Sequence, residues 1–151
     1  MVGNNVTRES AGHPVAIRLV TYIIQGGDVS NFDFDLTGRL FQMGHIIYLR
    51  FMEDDHHDGH PVPVTVRIDG QGQVRLTRLG SNPIRLNFVQ NRQTTADYRT
   101  PYGSLVMQTV TPELVIRYQN QPLSGSLKIN YDLYSQRQLL GHYRLRLSFT
   151  V

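Results

Sequence analysis

Asp97-Tyr98-Arg99-Thr100-Pro101-Tyr102-Gly103 is the stretch whose reading decides the fold. Pro101 fixes its own φ and pushes Thr100 into an extended conformation, while Gly103 can take a positive φ. Thr100 to Gly103 therefore reads as a tight turn that reverses one strand into the next. Before it, Thr94 to Thr100 forms one run, and after it Leu105, Met107 and Thr109 resume a period of two.

The same device repeats on both sides. Upstream, Val15, Ile17, Leu19, Thr21 and Ile23 alternate with a second face that is also partly apolar, and Gln25-Gly26-Gly27-Asp28 then supplies turn chemistry. Phe32, Phe34, Leu36, Gly38 and Leu40 alternate with Asn31, Asp33, Asp35, Thr37 and Arg39, one buried face against one wet face. Ile47, Leu49 and Phe51 follow Met43-Gly44, and Val62, Val64, Val66 and Ile68 end at the hairpin signal Asp69-Gly70-Gln71-Gly72. Val74 and Leu76 keep the inward parity, which carries Arg78 inward as well; Ile84, Leu86 and Phe88 come next. Downstream lie Leu114, Ile116 and Tyr118, then Leu127, Ile129, Tyr131 and Leu133, and finally Tyr143 to Val151.

No segment carries an apolar stripe of helical period. About ten strands with no helix to cover a sheet must close on themselves or fold into two packed sheets. The pattern predicts an all-β chain: a single antiparallel up-and-down β-barrel over residues 14–151, preceded by a loose tail at residues 1–13 that is rich in Asn, Ser, Thr and Gly. A membrane barrel would put its apolar residues outside, and the many arginines on the alternate face argue against that.

Arg78-Leu79-Gly80, Thr100-Pro101-Tyr102-Gly103 and Gly125-Ser126-Leu127 leading to Tyr131-Asp132-Leu133 occur in that order. In this order the chain resembles a bacterial family of uncharacterised YwiB-like proteins, described as lipocalin-like or calycin-like β-barrels, over roughly Pro14 to Val151. The resemblance implies a cytoplasmic bacterial barrel, closed or nearly so. It brings no established activity, cofactor or catalytic residue. Secreted lipocalins typically carry Gly-x-Trp at their first strand, and this chain has no Trp, so lipocalin transport is not carried over.

Composition bounds the rest. With 151 residues and 40% hydrophobic content the chain fills one core. It has no cysteine, which excludes disulfides, thiolate nucleophiles and cysteine-held metals. The polar N-terminus and the lack of a long apolar run predict a cytoplasmic protein with no membrane partner. The net charge is +3, and Lys128 is the single Lys among 15 basic residues. Arginine suits anionic partners, but a GC-rich genome gives the same bias without chemical reason.

Three groups of residues are candidates for a site. Arg78 with the inward tyrosines Tyr118, Tyr131 and Tyr143 leads, because a charge inside a barrel needs an anionic partner. That partner is either the head group of a small amphipathic anion or, closing the barrel end, Asp97, Asp132 or a backbone carbonyl. Tyr98, Arg99 and Tyr102 sit at a chain reversal, where they serve as a plug of rings over the core or as a binding mouth. His56, His57 and His60, with Asp54, Asp55 and Asp58 nearby, carry ligand types for Zn, Ni or Cu but no recognised spacing. A solvated loop has the same composition.

Outer-face arginines, among them Arg67, Arg75, Arg85, Arg117, Arg144 and Arg146, offer an alternative function, contact with RNA or a protein partner. A solvated sheet face shows the same pattern, and a net charge of +3 is small for a nucleic-acid binder. No Gly-x-Ser-x-Gly elbow, His-Glu-x-x-His, phosphate loop or dinucleotide fingerprint is present. The chain therefore reads as a non-enzymatic barrel without a cofactor that binds a small amphipathic anion.

Overall fold

The computed structural model describes residues 12–54 and 59–151. Within them lie ten strands: β1 (His13–Gln25), β2 (Asp28–Met43), β3 (Ile46–Asp54), β4 (Pro61–Ile68), β5 (Val74–Arg78), β6 (Ile84–Phe88), β7 (Gln93–Thr100), β8 (Gly103–Asn120), β9 (Leu123–Ser135) and β10 (Gln138–Thr150). Each strand pairs antiparallel with its neighbour in sequence, and β1 pairs with β10 to close the barrel. The expected up-and-down barrel is the observed one. The expected tail falls almost wholly on residues outside the described set.

Alternation sets the inside. Val15, Ile17 and Leu19 on β1, Leu49 and Phe51 on β3, and Val64, Val66 and Ile68 on β4 are all buried, while their sequence neighbours face outward. β-branched and aromatic side chains suit this pleated, half-buried surface. Because strands alternate in direction, one end of the barrel, here the upper end, gathers the β1–β2, β3–β4, β5–β6, β7–β8 and β9–β10 connections.

The two halves are filled differently. Toward the lower end Leu40, Leu49, Ile68, Phe88, Leu127 and Phe149 are almost completely buried and make a solid core. Toward the upper end the walls diverge around a cavity. One cause is visible in the ladders: β2 pairs with β1 from Asp28 to Leu40, but with β3 only from Arg39 to Met43. Above Gly38 the two strands share no ladder, and the barrel carries a seam there. Gly38 sits where that ladder ends; a Cβ at this position would lie 2.4 Å from the carbonyl oxygen of Arg50, so only glycine admits the close approach.

Strand β8 differs from the expected pattern. Two runs read from the sequence, Leu105 to Thr109 and Leu114 to Tyr118, are one strand of 18 residues with an irregularity between Val110 and Glu113. Pro112 lies within it and lacks the N–H that a regular ladder needs. A bulge of this kind shifts the parity by one, so Thr109, Thr111 and Leu114 are all buried.

The division into a solid and a hollow half has a measurable consequence. Leu49→Ala, in the packed half, should lower the unfolding free energy by about 2–5 kcal/mol, whereas Ile23→Ala, on the cavity wall, should cost less because its side chain already borders open space. Urea unfolding of both variants would show the difference.

Candidate functional site

The cavity has a volume of about 800 Å³ and lies in the upper half of the barrel. Leu19 and Ile23 from β1, Phe32 and Phe34 from β2, Leu86 from β6 and Leu145 from β10 form much of its apolar wall. The rings of Phe32 and Phe34 stack at 6.3 Å along the seam, and Phe32 remains partly open to solvent. The chain Gly80-Ser81-Asn82 borders the upper opening.

Tyr131 forms the floor. Its ring stacks on Tyr143 at 4.9 Å with an 8° interplanar angle and meets Phe88 at 4.6 Å in a tilted contact. Gln25 donates from Nε2 to the Tyr143 hydroxyl at 3.0 Å. Burial pushes the Tyr131 hydroxyl well above its ordinary pKa, with Tyr143 adding to the effect and the charge of Arg78 opposing it. Tyr131 is therefore a neutral hydrogen-bonding group at any ordinary pH.

Arg78 and Glu53 face each other at the wall. Arg78 Nη2 lies 2.8 Å from Glu53 Oε2. The guanidinium is half-exposed and the carboxylate mostly buried. Burial pushes the Glu53 carboxyl above its ordinary pKa; the charge of Arg78 and their hydrogen bond pull it partly back. Arg78 Nε is buried and has no hydrogen-bond partner among the described residues. The site thus holds a cation whose neutralising partner is itself reluctant to ionise, with one donor left over.

The other sequence candidates fall in separate places. Tyr98 lines the cavity beside Ile84, its partner in register. Arg99 has the opposite parity and faces solvent; its backbone N–H donates to the Pro83 carbonyl at 3.0 Å. Tyr102 is 100% exposed at the tip of its turn, so it neither plugs the core nor lines the mouth. That turn is held by Thr100, whose hydroxyl accepts the Tyr102 N–H at 3.2 Å and donates to the Gly103 carbonyl at 2.8 Å, with Gly103 at φ 121°. Tyr118 is not brought to Arg78. It lies near the lower end of β8, half-exposed, because that strand runs from the upper end downward. Asp97 and Asp132 do not pair with Arg78 either: both stand at outward positions, Asp97 opposite Arg85 and Asp132 beside the Nδ1 of His142. The metal candidates His56 and His57 lie outside the described residues, and His60 immediately precedes β4.

Glu53 is the residue that sequence reasoning missed. Its signal was present, because the alternation Ile47, Leu49, Phe51 needs one more step to carry Glu53 inward.

The sequence model of DUF1934, described as a domain of unknown function, matches residues 17–147. The chain belongs to that family. Among its relatives is the uncharacterised β-barrel protein YwiB of Bacillus subtilis, 25% identical over 121 residues, which cover 80% of this chain and 82% of the relative. The crystal structure of the ywiB protein superimposes with a TM-score of 0.77 at 21% identity, covering 95% of this chain and 96% of that one. The YwiB-like β-barrel expected from the ordered motifs is thus the one observed.

Two outcomes follow from the geometry. Because folding raises the Glu53 pKa, the folded chain keeps that proton at pH values where the unfolded chain has lost it. Its contribution to stability is fully present below the ordinary glutamate pKa and is lost as pH rises through the raised folded value. Glu53→Gln should flatten this decline in urea unfolding measured from about pH 4 to about pH 7. Tyr102→Ala should change stability by no more than about 0.5 kcal/mol, as for an exposed residue without partners.

Proposed function

We propose that the protein binds one small amphipathic molecule in the upper half of its barrel and performs no bond chemistry on it. The observation that carries this reading is the cavity of about 800 Å³, which is the size of a small-molecule site and is lined mainly by apolar groups with a few convergent polar ones. A barrel interior is either filled by side chains or left to hold a ligand. This one is filled below and open above.

An anionic head group fits the polar corner best. A carboxylate or sulfonate placed at the half-exposed Arg78 guanidinium gains a charge-assisted hydrogen bond, and Tyr131 provides a neutral hydrogen-bonding hydroxyl in the floor beneath. Glu53 is the competitor for the guanidinium, and its raised pKa eases the exchange: taking up a proton turns the carboxylate from a rival anion into a donor. Anion affinity should therefore increase as pH falls toward the Glu53 pKa. The ligand's apolar part lies along Leu19, Phe34 and Leu86. The alternative expected from the sequence, contact with a partner through outer arginines, uses the opposite surface of the same strands.

The test uses anilinonaphthalenesulfonate, an apolar ring system with one anionic group, and reads its fluorescence. Wild type should bind one equivalent saturably. Arg78→Ala should weaken binding by roughly ten- to a hundredfold, the worth of one hydrogen bond to a charged group at about 1.5–3 kcal/mol. Leu86→Trp should fill the space and abolish binding while the barrel stays folded. Unsaturable binding, or binding that survives Leu86→Trp, would remove the reading.

A further inference from the structure

The outer cations are unevenly paired around the barrel. On β9 and β10, Lys128 pairs with Glu113 at 3.2 Å, Arg146 donates to neutral Asn130 at 3.1 Å, and Arg144 faces outward with no carboxylate within salt-bridge distance among the described residues. On β1, Arg18 pairs with Asp33 at 3.0 Å. Across β3 to β6 the cations without a carboxylate are more numerous and stand close together. Arg50, Arg67, Arg75 and Arg85 all face outward there, and among the described residues none of them has a carboxylate within salt-bridge distance.

These four belong to two adjacent rows of the sheet. In the lower row Tyr48 on β3 stands opposite Arg67 on β4, which stands opposite Arg75 on β5, which stands opposite Asn87 on β6. In the row above, Arg50 and Arg85 flank the threonines Thr65 and Thr77. The intervening residues are neutral, and the nearest acid in register is Asp97, at the edge beyond Arg85.

The guanidiniums are also held in place. Arg67 donates from Nε to the Tyr48 hydroxyl at 3.4 Å and Arg75 from Nε to Asn87 Oδ1 at 2.9 Å, both neutral acceptors that leave the η nitrogens facing outward. Arg50 lies over the Phe41 ring, 5.4 Å from its centroid. A crease of about 20 Å³ between Arg67, Arg75 and Asn87 has room for one oxygen atom or water.

We infer that this outer face of β3–β6 binds single-stranded nucleic acid through its phosphates. The charge is complementary, since four outward guanidiniums, three of them held by neutral neighbours and only Arg85 facing a carboxylate across the ladder, match a run of phosphodiesters and release their counterions. Shape selects the single strand. The face is convex, its strands are about 4.8 Å apart and its rows about 7 Å apart, so the arginines cover an area rather than a line. A rigid duplex would touch such a surface along one line only. A flexible strand can follow both rows and lay bases against Tyr48 and the guanidinium planes.

The experiment measures fluorescence anisotropy of a fluorescein-labelled 16-nucleotide oligouridylate at about 50 mM salt and upward. Four phosphate contacts predict that the logarithm of the association constant falls against the logarithm of salt with a slope of about −3. The variant R50Q/R67Q/R75Q/R85Q should lose tenfold or more in affinity and most of the slope. R67Q and R75Q singly should each reduce the slope by about 0.7. The control R144Q/R146Q should change affinity less than twofold. Absence of binding at low salt, equal loss in the control, competition by polyglutamate, or a 16-base-pair duplex that binds as tightly would each overturn the inference.

Discussion

Closure is the constraint on which the structure depends. The first strand finds its second partner in the last: Ala16 stands opposite Thr150 and Ile24 opposite His142, at opposite ends of the sequence. With no helix over either face, a sheet left open here would present two rows of unpaired backbone groups. Joining β1 to β10 removes that edge and defines an inside. Glu53 and Arg78 approach each other across β4, on the face that closure turns into the interior.

Within the closed ladder the labour is divided along the axis. The lower half is filled with buried Leu, Ile, Val and Phe side chains and supplies the cohesion of the barrel. The upper half is held by backbone pairing and by its junction with the half below, and so it tolerates an unfilled interior. Placing the Arg78–Glu53 pair at the boundary between the hollow and the solvent limits what burial costs, because the guanidinium stays half in water. On the convex surface Arg18 and Lys128 have carboxylate partners, whereas Arg50, Arg67, Arg75 and Arg85 on β3 to β6 have none within salt-bridge distance among the described residues.

Much of this was legible in the sequence, and the gaps have physical causes. Period-two alternation in Val15 to Ile23, Val62 to Ile68 and Leu127 to Leu133 specified strands and their inward faces, and Tyr131 and Tyr98 reach the cavity as that parity requires. Parity says nothing of height along the axis, however. Tyr118, on the descending β8 beyond a bulge, therefore ends far from Arg78. Polarity hid Glu53, the one carboxylate on an inward position of β3. Turn chemistry located Thr100 to Gly103 correctly, but a turn signal does not tell whether the ring at its tip leans inward or outward, and Tyr102 leans outward. Arg67, Arg75 and Arg85 were legible as outer-face residues, but Arg50 was not, because it joins them only through pairing between strands.

The short ladder between β2 and β3 has a mechanical meaning. Above Gly38 the two strands are adjacent without being bonded, so they can part by giving up side-chain contacts while every backbone hydrogen bond of the barrel stays intact. The wall of the hollow half is therefore least cohesive along this seam.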